Sequence, residues 1–141
     1  MSTYLIEQRN QDIKKAINTT ISEIDDGELI SVQNNIVSKR IVFRSRVIAF
    51  PHGVTNHFQF LDGPYDHELS QQNTERVFAK YVIIDQMRPP SLGDKGCDWL
   101  YGRCNDMNAL KEYNKKLQYV FSRYEPLYDS GDGFMILKKD E

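Results

Sequence analysis

The sequence predicts an α/β domain, a three-layer sandwich whose mostly parallel sheet carries a C-terminal antiparallel hairpin at one edge. Three observations lead there. Tyr81-Val82-Ile83-Ile84 is a short apolar run without period-two alternation, which is how a strand buried on both faces of a parallel sheet reads. Helix-like and strand-like segments follow one another as α, β, α, β, long loop, β, α, β, β, an alternation that builds a sheet with helices packed on it. The last two apolar runs flank a glycine-containing loop, the mark of a hairpin. The 141 residues fit a single domain, residues 1–141, long enough to bury a substantial core.

The first helix is expected over Leu5 to Ile24. Ile13, Ile17, Ile21 and Ile24 recur at helical spacing with Ala16 on the same side, while Gln11, Asp12, Lys14, Lys15 and Glu23 cover the rest. Asp25-Asp26-Gly27 ends it. Asn18-Thr19-Thr20 matches the N-glycosylation pattern, a short motif that arises often by chance and here falls inside the helix. Glu28 to Gln33 reads as the first strand. Asn34-Asn35 then opens a short helix over Ile36 to Phe43, although the β-branched residues there suit a strand equally well. Arg46 to Phe50 is the second strand, stopped by Pro51-His52-Gly53.

Gly53 to Thr74 is the least regular stretch. Irregular runs of this length inside a compact domain tend to be functional or mobile. Asn73 to Lys80 supplies a helical turn before the Tyr81 strand, which closes on Asp85 and then Gln86-Met87-Arg88-Pro89-Pro90. After the loop holding Cys97, Trp99, Tyr101 and Cys104, Asn105 or Asp106 caps a helix to about Tyr124. Its buried stripe is Leu110, Tyr113 or Asn114, Leu117, Val120 or Phe121 and Tyr124, with Lys111, Lys115 and Lys116 on the wet face. Glu125 to Tyr128 and Phe134 to Lys138 form the hairpin around Asp129-Ser130-Gly131-Asp132-Gly133.

Composition narrows the function classes. Hydrophobic residues make up 40% and charged residues 27%, ordinary for a globular chain. A net charge of -2 supplies no basic footprint for nucleic acid. Nothing approaches the roughly 18 apolar residues of a membrane span, and Met1 to Ser22 lacks the apolar core of a signal peptide, so the chain is expected to be soluble as it stands. His52, His57 and His67 lie near Asp62 and Asp66, but their spacing matches no metal signature and no metal site is assigned. GxGxxG, Walker, GxSxG and HExxH motifs are all missing, so no catalytic residue and no cofactor is assigned either.

If a ligand site exists, strand order places it at the carboxyl ends of the parallel strands, near Asn34, Asn35, His52, Asp85 and Arg88. There Arg88 would pair with an anionic group and Asp85 accept from a sugar hydroxyl. The alternative is that Asp85 and Arg88 pair with each other or with loop backbone. Cys97 and Cys104, separated by six residues, read as two free thiols in a reducing compartment or as a disulfide in an oxidising one. Such a bridge would contribute about 2.5 kcal/mol in the chain-entropy model.

Several stretches together resemble one family. They are the helix before Asp25-Asp26-Gly27-Glu28-Leu29-Ile30-Ser31-Val32-Gln33-Asn34-Asn35, Val47-Ile48-Ala49-Phe50-Pro51, Ala79-Lys80-Tyr81-Val82-Ile83-Ile84-Asp85, Trp99-Leu100-Tyr101-Gly102 with the helix after it, and Tyr128 to Leu137. Their order is similar to the soluble tail of a family of uncharacterised, predicted polytopic membrane proteins of bacteria and archaea. Those proteins in turn resemble integral-membrane glycosyltransferases that use lipid-linked sugars. The likeness covers the chain outside Gly53 to Thr74 and lies in strand ends and turns. It implies a non-catalytic domain at the extracytoplasmic face of the cell membrane. Its partners would be the membrane-spanning part of the same polypeptide and a sugar or lipid-linked sugar acceptor. Catalytic carboxylates of such transferases lie in the membrane portion, so none carries over. The implied compartment favours a Cys97–Cys104 disulfide, with Trp99 and Tyr101 packing that loop onto the body of the domain. Two other classes stay open: a free-standing small-molecule-binding α/β domain, and a degenerate methyltransferase-like cytosolic enzyme, which a hairpin at the sheet edge suits.

Overall fold

The computed structural model describes residues 3–24, 28–33, 36, 46–51, 77, 79–87, 97–98, 103–104 and 107–140. Along them run α1 (Thr3–Ile21), β1 (Leu29–Gln33), β2 (Arg46–Phe50), β3 (Tyr81–Asp85), β4 (Cys97–Asp98), β5 (Arg103–Cys104), α2 (Met107–Arg123), β6 (Tyr124–Asp129) and β7 (Phe134–Lys139). The expected helix over 36–43, apart from a helical and buried Ile36, and the irregular stretch 53–74 lie outside the described residues.

Five strands form one sheet in the order β2-β1-β3-β7-β6. β1 pairs in parallel with β2 and with β3, while β7 pairs antiparallel with both β3 and β6. The fold is therefore α/β, and the central place of Tyr81–Asp85 is as read from the sequence: all five residues are buried. The mostly parallel sheet is corrected to a mixed one, with two parallel and two antiparallel pairings. The reason lies in the hairpin. Phe134, Ile136 and Leu137 bury on both faces of β7, whereas β6 is exposed after Tyr124 and carries Glu125, Pro126 and Asp129. The apolar second strand thus takes the inner position beside β3 and leaves β6 at the edge, where a proline is tolerated.

Alternation along the strands divides the core in two. Ile30, Val32, Tyr81, Ile83, Phe134 and Ile136 pack with Ile13 and Ile17 of α1. Phe50, Val82, Ile84 and Leu137 pack with Ala109, Tyr113 and Val120 of α2. Each fully buried aliphatic or aromatic side chain among these contributes about 1.5–3 kcal/mol of transfer free energy. Tyr113 and Val120 settle the two alternatives left in the α2 stripe, while Phe121 is exposed. Lys116, expected on the wet face, is instead fully buried, with its ammonium 3.8 Å from Glu112 Oε2. It continues the stripe Ala109, Tyr113, Lys116, Val120, whose 4-3-4 spacing overrides its chemistry.

Candidate functional site at the carboxyl end of β3

β3 delivers Asp85 to the place where open α/β sheets put their ligands. Its carboxylate is only 2% exposed. Buried charge survives only when paired and hydrogen-bonded, and here the partner comes from the first helix. Arg9 Nη1 donates to Asp85 Oδ2 and Arg9 Nη2 to Oδ1, each at 2.8 Å. Met87 N donates to Oδ1 at 3.0 Å. Two parallel N–H···O bonds of this kind are the strongest form of carboxylate recognition.

The other edge of the same guanidinium reaches the hairpin loop, where Arg9 Nε donates to Asp132 Oδ2 at 2.9 Å. Asp132 is held down to a pKa of about 2, first by the Arg9 hydrogen bond and then by one from Ser130. Arg9 is raised above its ordinary value, chiefly by its hydrogen bond to Asp85. One cation therefore ties α1, the end of β3 and the β6–β7 loop together.

The backbone around Asp85 is closed in the same way. Gln33, at the end of β1 and fully buried, accepts from Asp85 N through Oε1 at 2.9 Å and donates from Nε2 to Asp85 O at 3.1 Å. A side-chain amide here substitutes for one further rung of the β1–β3 ladder. On the opposite side Gln86 N donates to Gly133 O at 2.9 Å. In the core on the α2 side of the sheet, the Tyr113 phenol is pushed up to about 12, by burial first and by the Asp85 charge second. It stays a neutral hydroxyl at physiological pH.

Of the residues expected at the site, Asp85 stands where strand order put it. Asn34, Asn35, His52 and Arg88 lie outside the described residues. The residues that hold Asp85, namely Arg9 and Gln33, and Asp132, which shares the Arg9 guanidinium, were not singled out for the site from the sequence. A signal for Arg9 existed: it precedes Ile13 and Ile17 at the same spacing of four, so a charge sits on the apolar stripe. Cys97 and Cys104 are direct cross-strand partners in the β4–β5 pair, and their side chains, like Trp99 and Tyr101, lie outside what is described. Among the described residues no group of three His, Cys, Asp or Glu gathers to hold a metal, and no helix is long and apolar enough to cross a membrane. No family model, curated protein or solved structure matches the chain.

Proposed function

We propose that this chain is a non-catalytic accessory domain, the extracytoplasmic part of a membrane glycosyltransferase-like protein that presents a folded surface to an acceptor or to its own membrane-spanning portion. One observation supports the non-catalytic half. The carboxylate best placed for chemistry, Asp85, is committed to Arg9 and Met87 and flanked by backbone clips from Gln33. A general base must reach a substrate proton and a nucleophile must be exposed to its target. A bidentate, buried partner withdraws Asp85 from both tasks and makes it a brace. The setting beside a membrane is supported by the resemblance of the strand ends and turns to a polytopic family. In this reading α1 and α2 clothe the two faces of the sheet as a three-layer sandwich, and an oxidising compartment would bridge Cys97 to Cys104 across β4 and β5.

Turnover by the isolated chain is the test, assayed against activated sugars and common nucleotide cofactors. The expected outcome is no turnover above buffer. Robust turnover that Asp85→Asn abolishes, in protein that still melts cooperatively, would overturn the reading in favour of a self-contained enzyme.

A further inference from the structure

We propose that a groove between α1 and β6 binds neutral carbohydrate, one or two sugar rings at a time. The inference rests on the accessory-domain reading for its setting and gives the presented surface a ligand class. The cavity measures about 500 Å³, within the roughly 300–1,000 Å³ of small-ligand sites.

Its apolar wall depends on a local irregularity. Consecutive strand residues normally point to opposite faces, yet Leu127 and Tyr128 both line this cavity. The register shift between Pro126 and Tyr128 makes that possible, since a bulge re-aims the side chains beside it. Leu127 and Tyr128 are 52% and 38% exposed. The Tyr128 ring is braced by an edge contact to buried Phe134, with centroids 5.9 Å apart at 60°. The outcome is an accessible aromatic ring held in a fixed position.

The polar wall comes from one stripe of α1 and the turn that follows it, and is rich in acceptors. Thr19 and Thr20 spend their hydroxyl protons on the carbonyls of Lys15 and Ala16, both at 2.9 Å, so their oxygens face the groove as acceptors only. Asp12 and Glu23 are acceptors as carboxylates, and Lys15 is a donor on the same wall. Such a lining asks for a ligand with many donors. The two carboxylates repel an anion, and Lys15 offsets part of their pull on a polycation. A sugar satisfies all of it: each hydroxyl both donates and accepts, and the C–H face of the ring lies on Tyr128. Addition of a peptide strand to the neighbouring edge is opposed by Pro126, which has no N–H, by the bulge and by Glu125 and Asp129.

The experiment is an NMR titration of the ¹⁵N-labelled chain with maltose, cellobiose and N,N′-diacetylchitobiose to tens of millimolar, with spermidine as the cationic comparison. Saturable shifts are expected at the amides of Thr19, Thr20, Leu127 and Tyr128 for at least one sugar. Tyr128→Ala should weaken binding about tenfold, and Tyr128→Phe, which keeps the ring, should stay within about threefold. Because Tyr128→Ala also loses the Phe134 contact, Asp12→Asn on the exposed flank of α1 serves as a second variant. It should weaken sugar binding at an unchanged melting temperature. Absence of saturable shifts with any sugar, shifts with spermidine alone, or sugar shifts unchanged in both Tyr128→Ala and Asp12→Asn would each overturn the inference. None of these outcomes bears on the accessory-domain reading, which turnover decides separately.

Discussion

Arg9 sets the character of Asp85. With the carboxylate 2% and the guanidinium 11% exposed, the pair sits where desolvation is severe and attraction is strong. Removing one member of such a pair leaves the other buried and uncompensated, at a cost of about 3–5 kcal/mol. Arg9→Met is therefore expected to lower stability by about that amount, read as a shift in the urea midpoint with little change in its slope. Arg9→Lys should recover only a minor share. An ammonium cannot donate two parallel bonds to Asp85 and a third to Asp132 from one rigid plane. A lysine variant as stable as the parent would show that charge alone, rather than the fork, holds these elements together.

At the scale of elements, the β6–β7 loop makes the hairpin into the lid of the β3 end. Asp129 Oδ1 accepts from Gly131 N at 2.8 Å, a local turn closed by its own side chain. Gly131 and Gly133 both have positive φ, 84° and 115°. They differ in what a Cβ would meet: open space at Gly131, but Met87 N at 2.9 Å at Gly133. Gly131→Ala is expected to cost about 1 kcal/mol, the price of a left-handed L-residue. Gly133→Ala should cost about 2–4 kcal/mol, because strain adds to a collision with backbone that has nowhere to go. Equal melting temperatures for the two variants would refute the close packing of the loop on β3. These elements were largely legible. Pro51 ends β2, Asp85 closes β3 before a turn and a double proline, and the glycines of 129–133 separate two strand-like runs. Which hairpin strand lies inside was written in their composition too, Phe-Met-Ile-Leu against Glu-Pro-Leu-Tyr, but the alternation rule used for the sheet did not weigh one against the other.

For the whole molecule, the site was half legible. Strand order predicts that Asp85 reaches the carboxyl edge of the parallel strands, since that follows from local pattern. Its partner Arg9 lies 76 residues before it, and the second carboxylate on that guanidinium, Asp132, lies 123 residues after Arg9, joined by tertiary packing that no local pattern encodes. The hydrogen bonding of Asp132 and the burial of two phenols make stability depend on pH at both ends. Asp132 has a folded pKa of about 2, below its ordinary 3.8, so its contribution is whole above about pH 4 and is lost as pH falls toward 2. Its exposure to solvent keeps that contribution small and sensitive to salt. The alkaline limb is the larger effect. The Tyr113 phenol is held neutral to about 12 by burial, and Tyr124, whose hydroxyl donates to the carbonyls of Val77 and Ala79, is raised further, burial again leading. An unfolded tyrosine ionises near pH 10. The stabilisation from a raised phenol is complete below that pH and drains away as pH climbs through the folded value, on the order of 3 kcal/mol for Tyr113. Absorbance at 295 nm is expected to show two phenols ionising only together with loss of tertiary structure above about pH 11. Tyr113→Phe, which removes the titrating group and keeps the ring against Phe50, should move the alkaline unfolding midpoint upward. An unchanged midpoint would show that Tyr113 ionisation does not drive the alkaline transition.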